Sequence, residues 1–305
     1  MNRPVLLVHY NRPFTTRRQL EALMPVAPRR IWILCDGPRA QVPGDAERVS
    51  QVRALLDTIP WDCEVKRLYR RTNLGCCRNM AEGITWFLND CGAGIILEDD
   101  IQPHPSFFSF CDELLDRYAD NSEVHAISGQ QGSPHPLRIQ ADYGFTDYFD
   151  CWGWATWRRA WSNYDPLMGA WRDRTQWHAI CKRVLRIRRA CLYWWVMFCL
   201  VDRGKRDSWA YRYLLSIWKV GGCTIVPRQN LTKNIGFCDN ATQTAHLRER
   251  EMQLAEQDFP LRHPHHLRID PTINQWYEDQ LCSKSFSVRV RWLLAKLMRP
   301  LATGK

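Results

Sequence analysis

GIILEDDIQPHPSFFSF, residues 94–110, sets an aliphatic run directly against three adjacent carboxylates, Glu98, Asp99 and Asp100. Prolines and a cluster of phenylalanines follow. The run has the length and composition of a buried strand. Three neighbouring charges repel one another, so the segment has two readings: a solvated acidic turn, or a place where a cation sits. For an isolated acidic triplet the solvated turn is the commoner outcome, because short motifs match by chance.

The surroundings of the triplet decide the fold. PVLLVHY (4–10), RIWILCD (30–36), CEVKRLY (63–69) and VHAISG (124–129) are further short runs rich in Val, Ile and Leu. Between the runs, 14–24, 45–58, 76–89 and 105–118 carry wider apolar spacing, with Val49, Val52, Leu55, Leu56 and Ile59 on one helical stripe. This alternation predicts βαβ units: an α/β fold whose mainly parallel sheet is covered by helices on both faces. Ligands of such sheets bind outside the carboxyl ends of the strands. The first strand exits at Asn11 and Arg12, the second at Asp36 before a Gly-Pro turn, and the fourth at Glu98, Asp99 and Asp100. Parallel strands would gather these four carboxylates and the arginine on one edge.

Asp and Glu are hard oxygen ligands suited to Mg²⁺ or Mn²⁺, with phosphates and water completing the shell. A divalent ion at a strand-end EDD would bridge a nucleoside diphosphate and neutralise charge as it leaves. NLGCCRNMAEGI (73–84) opens the next helix with Arg78 and Asn79 in its first turn, where an anion is favoured; an ordinary amphipathic helix fits those residues equally. Asp207, in DSWAYRY, is either a general base toward a hydroxyl or the cap of the helix it precedes. His246 is either a ligand or a surface histidine. CWGWATW (151–157) offers Gly153 for close backbone approach, and its tryptophans Trp152, Trp154 and Trp157 either pack a core or stack on a sugar.

Bulk composition narrows the class. The chain has 305 residues, 45% hydrophobic and 24% charged, with 15 Trp and no repeat. The 13 cysteines form no CxxC pair, and no apolar signal segment follows Met1. They therefore read as reduced thiols of a cytoplasmic protein, in which the sequons at Asn230 and Asn240 have no meaning. The longest charge-free apolar run, Ala190 to Val201, is too short to span a bilayer. A net charge of +10 admits anionic partners. Its basic residues gather in CKRVLRIRRA (181–190) and in the tail after Asp279, where Val290, Leu293, Leu294 and Leu297 make an apolar stripe beside Arg289, Arg291, Lys296 and Arg299.

In order along the chain, PVLLVHYNRP, CDGP, NLGCCRN, IILEDDIQPHPSFFSF, WGWATWRRAW and VPRQNLTKNIGF…ATQTAH resemble bacterial glycosyltransferases of the GT-A fold. The likeness is to enzymes related to the N-acetylglucosaminyltransferase I group and to family 2-like sugar transferases, over roughly residues 4–246. It implies a nucleotide-diphospho-sugar donor, a UDP-sugar above all, a Mn²⁺ or Mg²⁺ cofactor, and a saccharide or lipid-linked saccharide acceptor in bacterial envelope polysaccharide or glycolipid assembly. It also implies inversion. By position, Asn11, Arg12, Asp36, Arg78, Glu98 and Asp99 would bind the nucleotide, Asp100 and His246 would serve the metal, and Trp152, Gly153 and Trp154 would face the sugar or acceptor.

Many relatives place an Asp directly after the Trp of the later motif. Here that place is Ala210, and Asp207 is the substitute base. The implied domain is 1–250, with a nucleotide half (1–130) and an acceptor half (131–250). Residues 251–305 form a basic extension that holds the enzyme on the anionic inner face of the cytoplasmic membrane. Two other classes compete. A sugar-phosphate nucleotidyltransferase would start with a Gly-rich phosphate loop, whereas HYNRPFTTRR has no glycine. A non-catalytic protein that binds membrane or nucleic acid through its charge would leave the triplet without a purpose, and no nucleic-acid motif is present.

Overall fold

The computed structural model describes residues 1–185, 188–236 and 253–281. Its first hundred residues alternate strand and helix: β1 (Val5–His9), α1 (Pro13–Leu23), β2 (Arg30–Cys35), α2 (Asp45–Asp57), β3 (Glu64–Tyr69), α3 (Cys76–Cys91) and β4 (Ala93–Glu98). Then come β5 (Ile101–Pro103), α4 (Pro105–Arg117), β6 (Val124–Ser128), β7 (Tyr143–Thr146) and β8 (Trp154–Trp157). The rest is mostly helical: α5 (Arg158–Trp161), α6 (Gly169–Arg172), α7 (Arg174–Arg183), α8 (Arg188–Asp202) and α9 (Trp209–Val220), followed by β9 (Cys223–Pro227), β10 (Thr232–Asn234) and α10 (Pro271–Leu281).

Eight strands form one sheet in the order β3-β2-β1-β4-β8-β6-β9-β7. The β3-β2-β1-β4 half is parallel throughout. β8 enters antiparallel between β4 and β6, β9 is parallel to β6, and β7 closes the far edge antiparallel. This is the mixed α/β sheet, parallel in most of its pairings, that the alternation of strand-like and helix-like runs predicts.

Alternation along each parallel strand explains the layering. Val5, Leu7, Ile31, Ile33, Ile95 and Leu97 point to one face and pack under α1, α2 and α4. Leu6, Val8, Trp32, Leu34 and Ile96 point to the other, under α3 and α9. Both faces are covered, so these strands are apolar in consecutive residues instead of every second one. The stripe on α2 faces inward, with Val49, Val52 and Leu56 buried and Leu55 and Ile59 packed at its margin. A third core, built from α7, α8 and α9, lies beside the sheet and contains Trp194, Phe198 and Trp218.

Residues 253–281, which the sequence reading assigns to the C-terminal extension, dock on β7. Asp270 donates its amide to the Phe145 carbonyl, and the Asn274 side chain accepts from the Thr146 hydroxyl. The tail stripe at 290–297 lies outside the described residues.

Candidate active site

The register of the parallel strands fixes where the acidic triplet lies. Val8 pairs with Glu98 and with Leu34, and His9 pairs with Cys35. Asn11, Arg12, Asp36, Glu98, Asp99 and Asp100 therefore leave the sheet at one edge. There the Arg12 guanidinium reaches Asp100 at 3.0 Å and Asp99 at 3.5 Å. Gln19 of α1 clamps the acidic turn from below, its amide donating to the carbonyls of Glu98 and Ile101.

One guanidinium faces three carboxylates in a desolvated corner. Burial, then the charges of Asp100 and Asp99, push the Glu98 carboxyl up to about 8. Burial and Asp100 push Asp99 up as well, against the pull of Arg12. Excess negative charge of this kind favours either protonation or a cation.

A second contact arrives from β10. The two-stranded pairing of β5 with β10 carries Ile235 and Gly236 onto the turn, where the Ile235 amide donates to the Asp100 carbonyl at 2.7 Å. A Cβ placed on Gly236 would stand 2.5 Å from the Asp100 carboxylate. The glycine of NIGF thus keeps the space beside Asp100 clear. Hard oxygen donors, uncompensated charge and a bare backbone next to Asp100 fit a divalent cation that takes one protein carboxylate and completes its shell from phosphate and water. Among the described residues no three His, Cys, Asp or Glu side chains converge as a ready-made cage.

The remaining candidates divide. Asn11 donates to Asp45, a fully buried carboxylate that also accepts from the Tyr10 hydroxyl and the Arg39 amide. Asn11 therefore ties the β1 exit to the start of α2. Asp36 is buried and locks the next loop: one oxygen accepts from the Gly37 and Leu74 amides, the other from the Asn73 side chain. Burial still pushes its carboxyl up. Arg78 points outward and pairs with Glu82 at 2.7 Å. Asn79 faces inward and accepts from Arg70.

Asp207 is exposed and accepts from the Cys77 amide at 3.2 Å. It caps the first turn of α3, not the helix it precedes; Ser208 caps α9. Asp207, Cys77, Arg78, Tyr164, Trp86 and Arg212 line a cleft of about 780 Å³ along the outer side of α3.

The tryptophan motif needs correction. Trp154 has no exposed surface and stacks on Trp209 at 5.4 Å, with Phe149 against its edge. It has no face for a sugar, because β8 carries it into the middle of the sheet. Gly153, at φ 79°, does permit a close approach, but the neighbour is Thr232 of β10, 2.7 Å from where its Cβ would be. Trp152 is half-buried, and its carbonyl accepts from the Thr232 hydroxyl. His246 lies outside the described residues.

Two residues of this edge escape the sequence reading. Arg70 follows β3, donates its amide to the Cys35 carbonyl, pairs with Glu82 and bears on Asp36. Applying the strand-exit rule to the third strand would have found it. Asp150 stands just ahead of β8. In the antiparallel register Ile96 pairs with Trp154, so the residues before Trp154 run beside the acidic turn. One Asp150 oxygen accepts from the Trp152 amide, and burial pushes the carboxyl up to about 6. No sequence signal marks it, since only the antiparallel insertion of β8 brings it to this edge.

No protein-family model and no curated protein matches the chain. Among solved structures, the chain is similar to the mannosyltransferase PcManGT from Pyrobaculum calidifontis in complex with GDP-Man and Mn²⁺. That pair shares 17% identity at a TM-score of 0.33, covering 51% of this chain and 44% of the other. It is also similar to mouse xyloside xylosyltransferase 1 in its apo form, with 11% identity and a TM-score of 0.33 over 71% and 81% of the two chains. The chain spans less than half the length of the first of these.

Proposed function

We propose that this chain is a metal-dependent glycosyltransferase that moves a sugar from a nucleoside diphosphate, with uridine as the expected base, to a hydroxyl of a saccharide or lipid-linked saccharide. The observation that carries this reading is the acidic turn Glu98–Asp99–Asp100 at the carboxyl edge of four parallel strands, held beside Arg12 and the bare backbone of Gly236. The ordered motifs that resemble GT-A sugar transferases support it, as does the lack of any other cation for three carboxylates among the described residues around the turn.

In this reading Asp100 holds the cation, which when bound supplies the positive charge that the departing diphosphate needs. Arg12 is close enough to exchange its carboxylate partners for a phosphate oxygen. The opening of α3 lies near the same edge, and a helix N-terminus favours an anion. The acceptor enters along the cleft beside α3, where Trp86 and Tyr164 offer aromatic surface to a sugar ring. Asp207, at that cleft and oriented by the Cys77 amide, takes the proton of the acceptor hydroxyl, and a single displacement inverts the anomeric centre. His246 serves as a second group on the metal side. The setting in bacterial envelope assembly, at the inner face of the cytoplasmic membrane, follows from the resemblance and from the basic stretches of the chain.

Titration of the purified protein with uridine and guanosine diphosphates, with and without Mn²⁺, tests the reading. Tight binding of one diphosphate that requires the metal is expected, and Asp100→Ala should weaken it by roughly a hundredfold or more. Asp207→Asn should keep that binding and lose release of diphosphate from the sugar donor. Retained turnover in Asp207→Asn would place the base elsewhere, with Asp150 the next carboxylate to test. Binding of a nucleoside triphosphate together with a sugar phosphate would favour a nucleotidyltransferase. Salt-sensitive binding to DNA or vesicles, with no nucleotide binding, would leave a non-catalytic protein.

A further inference from the structure

Between Arg174 and Val201 the sequence contains no acidic residue. Most of that stretch folds as α7 and α8, which pack with α9 in the third core. The inner side of α8 is committed to the core: Trp194, Val196, Met197, Phe198 and Leu200 are buried with Leu214, Leu215 and Trp218 of α9. The outer side is different. Arg188, Leu192 and Trp195 recur at the i, i+4, i+7 spacing of one helical stripe, and Leu192 and Trp195 are 44% and 42% exposed. Trp195 also lines a cleft of about 910 Å³ with Trp171, Trp177 and His178.

The charges on this face sort into used and unused. Arg172 pairs with Asp202, and Arg183 donates to the Trp218 carbonyl at the end of α9. Arg174, Lys182, Arg188 and Arg189 have no carboxylate partner among the described residues and are exposed. A face that combines unpaired cations with an exposed indole and leucine matches the boundary of a bilayer. Indole rings settle at headgroup depth there, and each Lys or Arg is drawn to anionic lipid. Nucleic acid would engage the cations and offer a base to Trp195, but would leave Leu192 without an apolar partner. The opposite side of α8 is packed into protein, and among the described residues no helix is long and apolar enough to cross a membrane. The helix pair can therefore only lie on a bilayer.

We propose that the outer face of α7 and α8 docks the protein on a membrane surface that carries anionic headgroups. Leu192 and Trp195 enter the headgroup–acyl boundary, and Arg174, Lys182, Arg188 and Arg189 face the lipid phosphates. The contact is independent of the chemistry at the sheet edge, so it stands or falls separately from sugar transfer.

Co-sedimentation of the full chain with vesicles tests it. Wild type should bind phosphatidylglycerol–phosphatidylcholine vesicles and leave pure phosphatidylcholine largely unbound. The pair Leu192→Ser with Trp195→Ser, and separately the pair Arg188→Gln with Arg189→Gln, should each weaken binding by roughly tenfold or more. These positions are exposed, so circular dichroism and metal-dependent nucleotide binding should stay at wild-type values in both variants. A third pair, Arg289→Gln with Arg291→Gln in the tail, should keep most of the vesicle binding. Wild-type binding by either of the first two pairs would overturn the proposal. So would loss confined to the tail pair, or a wild type that binds DNA but no vesicle.

Discussion

The acidic turn after β4 and the tryptophan run of β8 are neighbours in the sheet, and each is compositionally unusual. They end in opposite environments. The carboxylates stop at the strand exit, in a charged corner beside Arg12 and the bare backbone of Gly236. Trp154, on the antiparallel strand next to it, lies inside the sheet with no exposed surface. An unusual residue type becomes a site or a core element according to where its strand ends, and the residue type alone does not decide which.

The sharpest way to break this contrast is Trp154→Ala. If Trp154 is core, the variant should lose about 3–5 kcal/mol of stability by denaturant unfolding, because the stacked and edge-on partners around it cannot refill the space. Nucleotide affinity of the folded fraction should stay near wild type. A stable variant with weakened donor or acceptor binding would return Trp154 to the ligand side.

A pH series examines the acidic turn. Glu98 titrates near 8 in the folded chain against an ordinary 4.5, so the folded state holds a proton that the unfolded state has released. The favourable contribution is present below about 4.5 and is lost as pH rises through about 8. In chelator, the melting temperature should therefore fall between these limits, with Asp99 adding in the same direction. Mn²⁺ should restore stability most strongly at the upper end, where the carboxylates are ionised. A flat profile without metal, or no restoration with it, would mean that the turn is solvated and binds nothing.

The smallest effect is expected at Arg78. Its side chain is exposed and satisfied by Glu82, so Arg78→Ala should change nucleotide affinity by about twofold at most. A larger loss would put the Arg78 side chain itself against the nucleotide.

Much of this was legible in the chain itself. The alternating apolar runs placed β1 to β4 and α1 to α4 within a residue or two, because strands buried on both faces must be apolar in consecutive residues. The strand-exit rule brought Arg12, Asp36 and the acidic triplet to one edge, and the register agrees. The details of the exit were less legible. Asp36 and Asn11 carry the right chemistry, yet their polar atoms are engaged in fastening loops to strand ends. A sequence shows which groups could bind a ligand but not which are already occupied by the chain.

The sequence determined the layered α/β plan and the concentration of charge at one set of strand ends, since both follow from local periodicity and from parallel strands sharing a direction. Only the tertiary structure decided the rest. The antiparallel entry of β8 sent Trp154 into the core and brought Asp150 to the acidic edge. The pairing of β10 with β5 laid Gly236 against Asp100, and the folding of residues 207 and 77 onto one another turned Asp207 into a cap for α3. Each of these depends on partners far apart in the chain, and no local pattern encodes such contacts.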